Sequence, residues 1–165
     1  MNYFCWMDDI KPIKRSKELA PLSHEHHDGL QFVWKIRQGL ENGAPVELIG
    51  DYVRWFWINH IKPHFNDEEK VLIQYLPVAN RLVKQMIKEH AQIRDMILSL
   101  DHAPDKGMVK MLADFIYKHI RFEERKLFPW AEKTLTPEQL TSIYQELADE
   151  PLCDTEWKEE FWVNK

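Results

Sequence analysis

The chain has 165 residues, 44% of them hydrophobic and 30% charged, which excludes a disordered polymer and allows a buried core without disulfide support. A net charge of −5 argues against nucleic acid as the default partner, which calls for a basic face, and no apolar run reaches the ~20 residues needed to span a bilayer. The two cysteines, Cys5 and Cys153, lie far apart with no C-x-x-C spacing, so a thiolate metal site is not expected and a reducing cytoplasm is. The opening stretch "MNYFCWMDDIKPIKRSKEL" lacks the apolar core of a signal peptide.

Only five glycines, and many Leu, Ile, Lys, Glu and Gln residues, favour helix. Four long segments carry a 3.6-residue apolar rhythm. The first runs from about Pro21 to Glu41, with Leu30, Val33, Trp34 and Leu40 on one face, and "NGAP" ends it. The second spans about Val46 to Leu76 and turns Val53, Phe56, Trp57, Ile61, Val71, Leu72 and Tyr75 inward. Pro63 removes one backbone hydrogen bond there, so a local disruption near Asn59 is expected. The third, about Val78 to Leu100, presents Val83, Ile87, Ile93, Ile97 and Leu100. The fourth, about Lys106 to Thr134, presents Leu112, Phe115, Ile116, Phe122 and Leu127. "TPEQ" at Thr136 offers a cap, a first-turn proline and a capping-box glutamine for a short fifth helix. Short connections between long amphipathic helices predict an all-α, antiparallel up-down-up-down four-helix bundle with a short C-terminal helix and tail. A single domain is expected over residues 1–165, its bundle core at about 21–133 and the C-terminal helix and tail at 134–165.

Two stretches interrupt the apolar pattern in the same way. "HFNDEEKVL" and "HIRFEERKL" both read His-x-x-x-Glu-Glu-x-x-Leu. Residues four apart share a helical face, so His64 stands beside Glu68 and His119 beside Glu123, all facing inward. With 8 histidines and 27 acidic residues, about one such pair arises by chance. Height is the stronger argument. His64 lies about 12 residues before the end of its helix and His90 about 12 after the start of the next, roughly 18 Å from the shared turn. The other two turns place His26 with His64, and His90 with His119, to within roughly 5 Å.

Imidazoles and carboxylates converging without thiolates describe a site for iron, manganese or zinc. The number of donors exceeds what one tetrahedral zinc needs, and a carboxylate can span two cations, so a two-metal centre fits better. On the first helix His26 is nearer the middle of the apolar face, while His27 matches the His-x-x-apolar pattern of His90 and Ile93, so either or both can serve. His24 points to solvent. His60, one turn before His64, is an additional ligand or a packing residue. Glu69 and Glu124 turn toward the helix edge, where they can hydrogen-bond ligand imidazoles. Arg37, Arg94 and Arg121 read as packed or paired with acids. The competing reading of the polar layer is a metal-free set of hydrogen-bonded pairs that holds the bundle in register.

"PLSHEHHDGL", "KPHFNDEEKVL", "KEHAQIRDMI" and "HIRFEERKLFPWAE" resemble, in order and spacing, the four helix signatures of the hemerythrin-like family, the HHE cation-binding domains, over about residues 21 to 133. The resemblance implies a bundle holding a non-haem centre of two iron ions, carboxylate- or oxo-bridged, with room for a small ligand such as O2. It carries His64 and Glu68 over as ligands from the second helix, His90 from the third, His119 and Glu123 from the fourth, and His26 or His27 from the first. One position departs. Oxygen-carrying members place a second histidine four residues after the first on the third helix, where this chain has Arg94. That change puts reversible oxygen carriage in doubt and suits sensing, redox chemistry or iron handling under oxidative or nitrosative stress.

The expectation is therefore a cytoplasmic di-iron protein that binds or senses O2 or a related small molecule. A binding protein is expected rather than an enzyme, with peroxidase- or oxidase-like activity left open. The alternatives are a metal-free helical interaction module and a zinc- or manganese-loaded bundle with hydrolytic activity. Trp157 and Trp162 in the tail offer either a contact surface, for a second copy or another protein, or a fold-back onto the bundle.

Overall fold

A computed structural model describes residues 14–101, 103–148 and 155–164; both cysteines and most of the N-terminal stretch lie outside the described residues. Five helices follow one another: α1 (Ala20–Glu41), α2 (46–75), α3 (Arg81–Leu100), α4 (106–134) and α5 (Pro137–Ala148). No strand is present among the described residues. They form a helical bundle in which α1 packs on α2 and α4, α3 packs on α2 and α4, and α5 rests against α2. None of these helices is long and apolar enough to cross a membrane.

Each boundary has a local cause. Gly43 adopts a φ of 71° after α1, a left-handed conformation that glycine reaches without steric cost. α3 begins at Arg81, later than the expected Val78, because the Asn80 side chain accepts from the Leu82 N–H at 2.8 Å and caps the helix there. Asp105 caps α4 through the Met108 N–H. At α5, Thr136 and Gln139 exchange hydrogen bonds of 2.9 and 3.2 Å, the reciprocal capping box expected of "TPEQ".

α2 and α4 are not uniform α-helices. α2 widens to π-helical turns at Trp57–Ile61 and Glu68–Leu72, and α4 does so at Glu123–Leu127. The first lies just ahead of Pro63, whose ring nitrogen cannot donate, and the Asn59 amide bonds the Trp55 carbonyl at 2.8 Å within that stretch. The other two open on Glu68 and Glu123 and close on Leu72 and Leu127, so the duplicated motif carries a duplicated wide turn. Such turns spend an extra residue and re-aim the side chains that follow. The one in α2 works in the same direction as the late start of α3, which shortens the count from His90 to the turn.

Two apolar clusters fill the core. One gathers Phe32, Tyr52, Phe56, Ile93, Leu112 and Ile116, and the other Leu22, Leu72, Val83, Met86, Leu127 and Phe128. Two expectations fail at the rim. Trp34 is exposed because Phe32, Val33 and Ile36 occupy the inward stripe of α1, and Ile87 is exposed because Met86 takes the inner place on α3. The C-terminal tail folds back onto the first cluster. Trp157, Phe161 and Trp162 meet Tyr52 at ring separations of 5.4, 5.2 and 5.8 Å, and Asn42 donates to the Trp162 carbonyl.

This docking depends on Gly39. A β-carbon there would lie 2.4 Å from the Phe161 ring. Helix propensity alone makes Gly→Ala favourable by about 1 kcal/mol, but overpacking costs about 1–3 kcal/mol. Gly39→Ala should therefore lower stability and weaken the near-ultraviolet circular dichroism of the tail tryptophans. Adding Phe161→Ala should make the double variant more stable than the two separate losses predict, as denaturant unfolding of the four proteins will show.

Candidate metal centre

Between the apolar clusters lies a polar layer. His26 from α1, His64 and Glu68 from α2, His90 from α3, and His119 and Glu123 from α4 are each at most 7% exposed. Helical periodicity puts them there: each member of the two His-x-x-x-Glu pairs sits one turn from its mate on the inner face. They form two overlapping groups, His26–His64–Glu68–Glu123 and Glu68–His90–His119–Glu123, and within each group one donor atom per residue lies within 4.8 Å of the others. Both carboxylates belong to both groups.

The oxygens divide between the groups. Glu68 Oε1 faces the Nε2 atoms of His64 and His26 at 3.5 and 4.0 Å, while Oε2 faces His90 Nε2 at 3.1 Å. Glu123 Oε2 faces His26 Nε2 at 3.0 Å, while Oε1 faces His119 and His90 at 3.2 and 3.5 Å. His26 and His64 bring their Nε2 atoms to 3.0 Å of each other. All four carboxylate oxygens, with His90 Nε2 and His119 Nε2, are buried and lack a hydrogen-bond partner. Leaving that many charged and polar atoms unsatisfied in a core is costly, and one cation in each group would satisfy them. The residues fit the group they imply: imidazole and carboxylate donors in two overlapping sets, with no thiolate among the described residues.

The outer nitrogens are fully engaged. His64 Nδ1 meets Glu25 at 2.6 Å, His90 Nδ1 meets Glu69 at 2.7 Å, His119 Nδ1 meets Glu89 at 2.8 Å and His26 Nδ1 meets Glu124 at 2.7 Å. With those carboxylates accepting the Nδ1–H, each Nε2 lone pair points inward, the tautomer a metal needs. The acids run around the bundle in one direction. α1 supplies the acid for α2, α2 for α3, α3 for α4, and α4 for α1, so the ring closes.

Of the two α1 candidates, His26 enters the layer. His27, about 100° further round the helix, is exposed with Nε2 3.1 Å from the Gln31 amide and lies outside both groups. His60 stays outside both groups, stacked on Phe56 at 4.5 Å, with burial lowering its pKa. Glu69 and Glu124 touch imidazoles from their adjoining helices, and Arg94 touches Glu69 at 2.8 Å. Glu25 and Glu89 escaped sequence reasoning. The available signal was their position directly before His26 and His90, the mirror of Glu69 and Glu124 directly after Glu68 and Glu123.

The buried carboxylates favour positive charge in this layer. Burial alone would lower the pKa of His26, yet the facing Glu123 and Glu124 carboxylates raise it to about 10. His64 and His90 are raised against burial in the same manner, by Glu68 with Glu25 and by Glu123, Glu68 with Glu69 respectively. Burial would raise Glu123, but the surrounding imidazoles hold it well below the usual carboxylate range. Protons and cations thus compete for one layer.

Burial would also raise Glu124, but hydrogen bonds from His26, Ser23 and Arg15 hold it at about 2. A depressed carboxylate stabilises the fold above its unfolded pKa, near 4.5, and that contribution vanishes as pH falls toward about 2. Glu124→Gln should therefore destabilise the metal-free protein by about 1–3 kcal/mol at neutral pH. The gap from wild type should shrink steadily below about pH 4.5, as denaturant titrations at several pH values will show.

Comparison with known proteins points the same way. Among curated proteins and among solved structures nothing matches the chain. A family model does: that of the hemerythrin HHE cation binding domain, over residues 17–131, a span holding all six core residues and the four acids behind them. The buried His and Glu clusters fit a metal-binding protein, and this chain belongs to the hemerythrin HHE cation-binding domain family.

Proposed function

We propose that the protein is a single-domain, non-haem di-iron protein of the cytoplasm that binds or senses O2 or a related small molecule. One observation carries the reading: each buried carboxylate turns one oxygen to each pair of imidazoles. In this reading His26 and His64 would hold one iron and His90 and His119 the other, with Glu68 and Glu123 available to both. The absent second histidine of α3 leaves the two halves with equal donor sets. The antiparallel up-down-up-down arrangement belongs to the same proposal, supported by short connections and by the meeting of side chains from all four long helices.

Bound iron would supply redox chemistry and electrophilic attraction for a small ligand. The chain's own residues orient the imidazoles through their Nδ1–H bonds and exclude bulk water with Phe65, Phe128, Leu72 and Leu127. The near-complete burial of the layer suits a diatomic or similarly small ligand rather than a large substrate, and this favours binding or sensing over turnover. Sensing of O2, peroxide or nitric oxide shares this chemistry.

Protein purified without chelator should carry about two irons per chain. His64→Ala and His119→Ala should each weaken one ion more than the other, whereas Glu68→Ala should weaken both. Elemental analysis with ultraviolet–visible spectra before and after air will decide. A reduced protein whose spectrum changes in air and reverts on deoxygenation supports ligand binding. Zinc or manganese in place of iron would redirect the function toward hydrolysis. A protein that takes up no metal and keeps its stability after His64→Ala would instead be a helical interaction module.

A further inference from the structure

His26 and His90 are held in the same way, each by a carboxylate from one copy of the duplicated motif and by a phenyl ring and an arginine that have no sequence correspondence. The His90 ring stacks on Phe65 at 3.6 Å and 10°, and its Nδ1 meets Glu69. Arg94 covers both partners, with Nη2 2.8 Å from Glu69 and its guanidinium 5.6 Å from the Phe65 centroid. Across the layer the His26 ring stacks on Phe128 at 5.3 Å and 7°, and its Nδ1 meets Glu124. Arg15 covers that pair, with Nη2 2.8 Å from Glu124 Oε2 and its guanidinium 5.1 Å from the Phe128 centroid. Arg94 stands four residues after His90 on its own helix. Leu30 holds the equivalent place after His26, and the guanidinium arrives from the segment ahead of α1.

We propose that Arg15 and Arg94 are matched positioning residues, one for each half of the metal centre. Each clamps a carboxylate and a phenyl ring against the same imidazole and fixes the direction of its Nε2 lone pair. The proposal rests on the di-metal reading above. Arg15 is held more firmly: its Nε donates to Ser23, Nη2 also donates to the Glu124 carbonyl, and Nη1 lies 3.3 Å from Glu132. Among the described residues Arg94 ion-pairs with Glu69 alone, and it is a third exposed. The other two imidazoles differ. Among the described contacts their acids, Glu25 and Glu89, pair with no arginine. The α3 position where the family's oxygen carriers place a ligand thus holds a side chain that acts on a ligand from behind.

Two effects of removing an arginine have opposite signs. Loss of a nearby positive charge would tighten cation binding, whereas release of the carboxylate from the imidazole would loosen it, typically by 10- to 100-fold. Positioning dominates in this proposal, because a freed Glu69 can swing into solvent.

The experiment titrates the metal-free full chain with Zn(II), and separately with Fe(II) under anaerobic conditions, by calorimetry. Nitrogen-15 NMR of the zinc-loaded protein reads the imidazole Nδ1–H groups. Arg94→Gln should weaken one of two ions by about 10-fold or more and disturb the His90 Nδ1–H signal while sparing His26. Arg15→Gln should do the converse, and Arg94→Lys, which keeps the charge but loses the fork, should recover binding only in part. Circular dichroism establishes that each variant is folded; should Arg15→Gln unfold, Arg94→Gln and Arg94→Lys alone decide. Unchanged or tighter binding in folded Arg94→Gln, or equal disturbance of both imidazoles, would overturn the clamp. A wild-type protein that binds neither ion would overturn the metal reading itself.

Discussion

Two carboxylates sunk among apolar side chains govern this molecule. Glu68 and Glu123 are fully buried, and the effective cost of burying such an ion is several kcal/mol even after relaxation. Every other feature of the layer compensates that cost. Four imidazoles surround the pair, and the carboxylates facing them raise the pKa of His26, His64 and His90 against burial. Four further acids hold the imidazoles from outside, and arginines hold two of those acids. A cation at each end of the carboxylate pair completes the compensation in the proposed state.

The compensation also organises the helices. Because the acid behind each imidazole comes from the neighbouring helix, the hydrogen bonds run α1 to α2 to α3 to α4 and back to α1. Sliding or rotating one helix would break two of these contacts, one that it gives and one that it receives. Apolar packing tolerates small slides; a short, charge-assisted hydrogen bond does not. The ring therefore locks register where the two apolar clusters, on either side, supply the bulk of the burial energy.

An approximate twofold relation runs through the layer. α1 corresponds to α3 through Glu25–His26 and Glu89–His90, and α2 to α4 through the His-x-x-x-Glu-Glu-x-x-Leu copies with their wide turns. The relation extends to Phe65 and Phe128 and to Arg94 and Arg15, although these four come from non-equivalent places in the chain. What is preserved is the set of contacts around each imidazole. In the proposed di-metal state such equal surroundings would suit two ions of one element.

The helices, the duplicated motif, the break near Pro63 and the capping box at Thr136 were legible in the sequence, because each depends on residues within about one or two turns. So was the common height of His26, His64, His90 and His119, since helical rise turns residue counts into depth. The choice of His26 over His27 was not, because neighbouring helix positions differ by about 100° and only packing decides which enters the core. The exposure of Trp34 and Ile87 and the fold-back of the tail onto Gly39 are likewise tertiary. Glu25, Glu89 and Arg15 belong to that group for the same reason: each meets a partner on a helix distant in the sequence, Glu25 at His64, Glu89 at His119 and Arg15 at Glu124. Local periodicity determined the helices and the depth at which their side chains lie, whereas which of two neighbouring positions enters the core, and the partner that each one meets, were decided only when the helices came together.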